Sequence, residues 1–184
     1  MKKCILVAAF IASFFVTRAQ INIRPYAGIG YGLENQVGFR GITFQGELAI
    51  GIQEHLEGVV NFNYFYSNNV PKWDKSMNEG AYYHQSSAAI KMLYYSGTDG
   101  NGFLLSGGLA FRSGKSYHFL TGDLEDGKFT NNTYITDQVK GKGFVGGIGY
   151  GFKFTQALNA RIEFSHYAFT SLNDMQSLTM KIGF

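Results

Sequence analysis

Apolar residues alternate with small or polar residues along most of the chain, with a period of two. This period places successive side chains on opposite faces of a β-strand, whereas an amphipathic helix repeats its apolar positions every three or four residues. The alternation occurs in eight runs, at residues 23–33, 45–53, 60–67, 87–95, 103–112, 144–154, 160–167 and 177–184. Each run has the length that a tilted strand needs to cross a bilayer. The pattern predicts an all-β chain of eight antiparallel strands.

The connections between the runs also alternate, in length. Short turns follow the second, fourth and sixth runs, and a brief connection follows the seventh, whereas longer polar connections follow the first, third and fifth. The longest connection, residues 117–140, is expected to be a mixed-charge surface loop. Short turns at one rim and longer loops at the other are typical of an up-and-down transmembrane barrel. Both chain ends are then expected at the short-turn rim.

The volume of the side chains decides which face of this barrel points outward. Eight strands enclose a lumen just wide enough for packed side chains or one small ligand. The apolar set consists of Phe, Tyr, Leu and Ile, while the opposing set is mainly Gly, Ala, Ser and Asn with a few charges. A soluble barrel of the lipocalin kind would have to place the bulky set inside. We therefore predict that the bulky set faces lipid.

The first 19 residues have the composition of an export signal. Lys2 and Lys3 precede a mostly apolar stretch at residues 4–16, and Ala19 supplies a small residue for cleavage. This stretch is too short to span about 30 Å of hydrocarbon as a helix. We expect a signal peptide at 1–19 and a barrel domain at 20–184.

The signal segment also explains the net charge of the chain. The formal charge of +3 comes from 16 basic and 13 acidic residues, and Lys2, Lys3 and Arg18 all lie in the segment. The remainder is neutral, so the charge gives no reason to expect a nucleic-acid partner. Cys4 leaves with the segment, which excludes disulfides and thiolate chemistry in the mature chain.

No motif for a cofactor, a metal or catalysis stands out. The four histidines have no metal-ligand spacing, and no phosphate-binding glycine loop is present. We therefore predict no cofactor, no metal and no catalytic residue.

The last run ends on alternating apolar residues and a terminal aromatic residue, namely Leu178, Met180, Ile182 and Phe184. With the eight runs and the loop asymmetry, this ending resembles the small outer-membrane β-barrels of the OmpA/OmpX-like class, of the type found in Gram-negative Bacteroidetes. The resemblance implies an integral outer-membrane protein with both termini in the periplasm. It also implies recognition of the C-terminal residues by the barrel assembly machinery, and contact with outer-membrane lipid and lipopolysaccharide.

The register of the runs directs eight charged side chains into the lumen. They are Arg24, Glu47, Lys91, Arg112, Lys153, Arg161, Glu163 and Lys181. Because buried charges are costly unless they are paired, we expect a network around the two glutamates. The surplus of cations must meet water, a further acid such as Glu34 or Glu57, or a bound anion. Our hypothesis is that the surplus lies near a rim and attracts phosphates or sugar acids of the surface lipid.

Tyrosines near the ends of the runs are expected to lie at the lipid headgroups. They are Tyr31, Tyr64, Tyr66, Tyr82, Tyr83, Tyr94 and Tyr95. His166 is expected on the outer wall near the end of the seventh run. Its surroundings are similar to those of the histidine in the lipid A deacylase family, but Ala168 stands where that family has a serine.

These observations predict a non-enzymatic outer-membrane barrel with a polar, filled lumen. Its role is expected in envelope structure, in adhesion, or as an accessory in a surface complex, with any protein partner bound at the long connections 70–83 and 117–140. A lipid A-modifying enzyme and a small barrel subunit of a secretion or assembly machine are the alternatives.

Overall fold

The chain forms one closed sheet of eight strands in the computed structural model, which describes residues 23–35, 38–69, 82–98, 100–125, 128–155, 158–170 and 174–184. The strands are β1 (Ile23–Glu34), β2 (Arg40–Gln53), β3 (Leu56–Asn69), β4 (Tyr82–Tyr95), β5 (Gly102–Glu125), β6 (Lys128–Lys153), β7 (Asn159–Phe169) and β8 (Met175–Gly183). Each strand is antiparallel to its neighbours in the chain, and β1 also pairs with β8. The predicted eight-stranded antiparallel barrel is confirmed.

The register places large apolar side chains on the outside of the barrel. Ile29 of β1 pairs with Phe44 of β2 on one side and with Met180 of β8 on the other. All three side chains are about half exposed, although they lie in the middle of their strands. Apolar positions of the other strands follow the same pattern. Such a surface is favourable only against lipid, so the barrel spans a membrane.

Across the described residues, no helix has the length and hydrophobicity that crossing a membrane would require.

The two ends of the barrel differ. β1 begins and β8 ends at the same rim, where the turns after β2, β4 and β6 also lie; we call this the turn end. The opposite rim, with the connections after β1, β3, β5 and β7, is the loop end. The expected signal peptide and most of the connection at 70–83 lie outside the described residues.

The prediction of a loop at residues 117–140 is wrong. β5 continues to Glu125 and β6 begins at Lys128, so the two strands have 24 and 26 residues where the others have 9 to 14. Aromatic and β-branched residues such as Tyr134, Ile135 and Thr136 favour a strand here. This part of the hairpin extends past its neighbours, so it has no lipid-facing side to impose an alternating pattern.

Glycines on the inner face provide the space for large inward side chains. A side chain at Gly32 of β1 would place its Cβ 2.9 Å from the Phe65 ring of β3. At Gly151 of β6 the Cβ would lie 3.0 Å from the Tyr95 ring of β4. Both aromatic rings are fully buried in the lumen. Glycines at these inward positions therefore serve the packing of a narrow barrel.

Aromatic residues surround the barrel at both ends. The outer surface of the turn end carries Phe103, Tyr150 and Phe152, with ring centroids 5.3 Å and 4.8 Å apart along the series.

Tyr31, Tyr64 and Tyr66 are exposed near the loop end, as expected. The expectation fails for Tyr83 and Tyr95, which are 1% exposed and point into the lumen. Their neighbours in the chain, Tyr82 and Tyr94, occupy the outward positions of β4.

Candidate functional site

The lumen is filled by three layers of side chains. An apolar layer near the loop end, called here the upper apolar layer, consists of Phe39, Phe65, Tyr83, Ala89, Ala110, Val145, Tyr167, Phe169 and Met175. A second one, the lower apolar layer, consists of Tyr26, Ala49, Val59, Leu93, Tyr95 and Leu104. Lys91 lies between Ala89 and Leu93 on the inner face of β4, and Asn61 lies between the two layers on β3. A charged layer therefore separates two apolar ones.

Four fully buried groups from four strands form the centre of the charged layer. Lys91 Nζ lies 2.8 Å from Glu163 Oε1 and 3.4 Å from Glu47 Oε1. Lys181 Nζ lies 2.6 Å from Glu47 Oε1 and also contacts Glu163 Oε2. Each ammonium group thus bridges both carboxylates. The four strands are β2, β4, β7 and β8, so these ion pairs connect opposite walls of the barrel.

Neutral polar groups also donate hydrogen bonds to the two carboxylates. Asn61 Nδ2 donates to Glu47 Oε1 at 2.7 Å, and Ser106 Oγ donates to Glu163 Oε1 at 2.8 Å. The hydroxyl of Tyr167 donates to Asn61 Oδ1 at 3.3 Å, which links the charged layer to the upper apolar layer. A buried ion pair is tolerated when its remaining lone pairs are satisfied in this way.

Arg161 extends the charged layer toward the turn end. Its guanidinium contacts Glu47, lies over the Tyr26 ring at 4.0 Å, and donates to the Tyr95 hydroxyl at 2.9 Å. That hydroxyl in turn donates to Glu57 Oε2 at 3.1 Å. Arg24 is near the turn end, with Nη1 3.4 Å from Glu57 Oε1. The lower apolar layer is therefore crossed by a chain of polar contacts.

Arg112 is separate from this cluster and lies near the loop end. Its guanidinium carbon is 4.3 Å from the centre of the Phe169 ring, and Glu34 and Asp174 supply the nearby negative charge. Glu34 is fully buried, although it is the last residue of β1. A cation over an aromatic face and a nearby carboxylate together offset part of the cost of burying the guanidinium.

The structure places seven of the eight predicted lumen charges inside the barrel. Lys153 differs, because it is the last residue of β6 and is exposed at the turn end. Sequence reasoning left Glu34 and Glu57 unassigned, and both are buried inside the barrel. The described interior then holds five cations and four acids: Arg24, Lys91, Arg112, Arg161 and Lys181, with Glu34, Glu47, Glu57 and Glu163. Most of the predicted cationic surplus is thus neutralised within the lumen.

The inward aromatic residues are the part of the site that sequence reasoning assigned least well. Seven buried rings of the described residues line the lumen: Tyr26, Phe39, Phe65, Tyr83, Tyr95, Tyr167 and Phe169. Their signal in the sequence is an aromatic residue in the small or polar register of its strand, as at Tyr26, Phe65 and Tyr167. At the level of the described strands these rings and the charged layer plug the lumen.

The C-terminal residues predicted as an insertion signal lie on the outer face of β8 and, for Phe184, directly after its end. Leu178, Met180, Ile182 and Phe184 are between 40% and 69% exposed. They continue the apolar outer wall, and no contact in the structure tests their recognition by an assembly machine.

His166 lies on the outer face of β7, next to Gly146 of β6. Its Nε2 is 3.6 Å from Asp174 Oδ2, and both side chains are about 40% exposed. Ser165, the adjacent serine, points into the lumen and is fully buried. The histidine and that serine therefore lie on opposite faces of the wall.

Among the residues that the structure describes, no group of three or more His, Cys, Asp or Glu is arranged to hold a metal ion.

The β5–β6 hairpin extends well beyond the barrel at the loop end. β4 pairs with β5 as far as Tyr117, and β7 pairs with β6 only as far as Gly143. Pairing between β5 and β6 continues to Glu125 and Lys128. At about 3.3 Å a residue, the part beyond Tyr117 projects by about 25 Å. We call residues 118–125 and 128–135 the ribbon.

A closed eight-stranded barrel with an apolar outer wall and a polar plugged lumen defines a small transmembrane β-barrel. Solved structures of this fold are similar to the chain. Neisserial surface protein A aligns over 88% of this chain and 95% of its own, with 11% identity and a TM-score of 0.55. Ail, the attachment invasion locus protein of Yersinia pestis, in complex with the heparin analogue sucrose octasulfate, aligns over 89% and 98%, with 10% identity and a TM-score of 0.56.

At these identities the likeness concerns the fold, and it confirms the resemblance to small outer-membrane barrels. No protein-family model matches the chain, and no curated protein matches its sequence significantly.

Proposed function

We propose that this protein is a non-enzymatic integral outer-membrane protein that presents the ribbon as a binding element at the cell surface. The observation that carries the proposal is the extension of β5 and β6 past every neighbouring strand that the structure describes. A rigid barrel that holds a projecting element is a common arrangement for recognition. Both termini then lie in the periplasm, at the turn end, and the loop end faces outward.

The ribbon is suited to contact with a protein. Within the part of the chain that the structure describes, its two strands pair only with each other, so each presents one edge of backbone donors and acceptors that no described strand covers. An extended segment of a partner can add to such an edge through main-chain hydrogen bonds. Exposed side chains at the base of the ribbon, including Ile135, Asp137 and Gln138, offer a mixed apolar and polar surface.

The similar structures support a surface role without specifying it. The name of Ail describes attachment and invasion, and its structure was solved with a heparin analogue. An adhesion role or an accessory role in a surface complex follows for our protein as a proposal. The plugged lumen favours these roles over transport of a solute.

The test uses a shortened hairpin, in which residues 119–134 are replaced by an Asn-Gly turn. A photo-crosslinking residue is also placed at Ile135 on the ribbon side and, as the control, at the lipid-facing Phe103. We expect one specific protein crosslink from position 135, none from position 103, and loss of the associated adhesion with the shortened hairpin. Unchanged adhesion by the shortened barrel, with no crosslink at 135, would contradict the proposal.

A lipid A-modifying activity remains the alternative function. The pair of His166 and Asp174 on the outer wall favours it, because a histidine next to a carboxylate is a common catalytic arrangement. The buried Ser165 counts against it. Mass spectrometry of lipid A from a deletion strain distinguishes the two functions, since an altered acyl pattern would indicate the enzyme.

A further inference from the structure

We propose that the outer wall of β4, β5 and β6 holds a binding site for the phosphate group of a membrane glycolipid. The wall has a depression of about 360 Å³ there, above the apolar band. It is lined by His84, Ser86, Ser113, Lys115, Gln138 and Lys140. The proposal rests on the outer-membrane location proposed above, and it does not depend on the ribbon.

The depression is built from two register rows across three strands. His84 of β4 pairs with Lys115 of β5, which pairs with Gln138 of β6. The next row toward the turn end joins Ser86, Ser113 and Lys140 in the same order. Six polar side chains thus stand side by side on one patch of the outer wall. They combine two ammonium groups with hydroxyl, amide and imidazole donors, which are the groups that bind phosphate oxygens.

The site lies directly against the lipid-facing surface. The register row below it contains Ala88, Phe111 and Lys142. Phe111 is 53% exposed, and Phe144, two residues further along β6, is 67% exposed. The row of Phe111 is mixed because it also holds Lys142, and the next row, formed by Ile90, Leu109 and Phe144, is wholly apolar. The wall therefore changes from basic to apolar within two rows, as expected at the level of lipid headgroups. A lipid with its acyl chains along the two phenylalanines would bring its headgroup into the depression.

The charge of the patch selects the class of headgroup. Lys115, Lys140 and Lys142 are all exposed on this face. The outward positions of β4, of β5 up to Lys115 and of β6 from Thr136 onward include no acid. Asp137 is exposed but lies between Thr136 and Gln138, in the opposite register of β6. An anionic, phosphorylated glycolipid fits such a surface better than a zwitterionic lipid, since each lysine near the surface contributes to its attraction.

The experiment measures lipid binding by native mass spectrometry of the full-length protein, extracted in a mild neutral detergent. The probes are diphosphorylated lipid A, the same lipid without phosphates, and inorganic phosphate as a competitor. The test variant is Lys115→Gln with Lys140→Gln. The matched control also removes two exposed cations, through Arg40→Gln at the loop end and Lys153→Gln at the turn end. Heat-modifiable gel migration confirms that each variant is folded.

We expect the phosphorylated lipid to bind the unaltered protein and to bind the test variant about 30-fold more weakly, from a contribution of about five-fold for each lysine. The control variant should bind within about two-fold of the unaltered protein. Equal loss in both variants would show a general effect of net charge and overturn the site. Equal binding of the lipid without phosphates would overturn the recognition of phosphate. Displacement by millimolar inorganic phosphate alone would assign the site to free phosphate instead of lipid.

Discussion

Lys91 of β4 and Glu163 of β7 meet across the lumen, with Nζ 2.8 Å from Oε1 and no exposed surface on either side chain. The two residues belong to strands that are not neighbours in the sheet. Their contact therefore joins opposite walls directly. Because both charges are removed from water, the pair contributes to stability only as long as both partners are present.

Loss of the Glu163 charge should destabilise the barrel strongly. In Glu163→Gln, the ammonium groups of Lys91 and Lys181 lose one of their two carboxylates. We expect the free energy of unfolding to fall by about 3–5 kcal/mol, measured by denaturant titration in lipid vesicles. Glu54→Gln, at an exposed turn residue, is the control and should change it by less than about 0.5 kcal/mol. Equal stability of the two variants would show that the charged layer does not stabilise the barrel.

The hydroxyl of Tyr95 should contribute more to the free energy of unfolding than the hydroxyl of Tyr94, its neighbour in the chain. Tyr95 accepts from Arg161 and donates to Glu57 inside the lumen, whereas Tyr94 points outward and is 53% exposed. We expect Tyr95→Phe to cost about 1–3 kcal/mol because it leaves buried charged groups without a partner. Tyr94→Phe, the same change one residue away, should cost little. If Tyr94→Phe lowered stability more than Tyr95→Phe in a denaturant titration, the register assigned to β4 would be wrong.

Glycines on the two faces of the wall should respond differently to a larger side chain. In Gly32→Val the new side chain meets the Phe65 ring in the lumen, and we expect a loss of about 1–3 kcal/mol from overpacking. A Cβ at Gly46, on the outer face of β2, has no atom within 4 Å. Gly46→Val should therefore fold at least as well as the unaltered protein. Similar refolding yields and stabilities for the two variants would count against this packing.

The boundary between lipid and water can be tested along the β5–β6 hairpin. Leu109 lies in the apolar band and is 52% exposed, and Ile135 lies at the base of the ribbon. Leu109→Arg should lower stability in vesicles by about 2–4 kcal/mol, because the charge enters the hydrocarbon region. Ile135→Arg should have an effect near zero. A large penalty at position 135 would place the ribbon inside the membrane.

Much of the barrel could be predicted from the sequence because its wall separates two environments. A lipid-facing side and a packed lumen force a period of two, so strands such as β1 and β8 were found almost to their ends. The ribbon lacks this asymmetry, and its strands were mistaken for a loop. Glu34 and Glu57 lie next to strand ends, where the alternation fades, so their entry into the lumen was left open. The position of Lys153 depends on where β6 ends at the rim, which the pattern alone does not specify.

The charged layer has a consequence for the order in which the barrel is assembled. Glu47 and Lys181 are 134 positions apart in the sequence, and Lys91 and Glu163 are 72 apart. The β7–β8 hairpin holds both Glu163 and Lys181, whereas a β3–β4 hairpin that entered the bilayer by itself would bring Lys91 without either of its carboxylates. A partly assembled state that contains β4 but lacks β2 and β7 would therefore carry an unpaired charge in a medium that solvates it poorly. Closure of β1 against β8 brings the charges together, so we expect folding of the described barrel to be cooperative, with few stable intermediates between the open sheet and the finished wall.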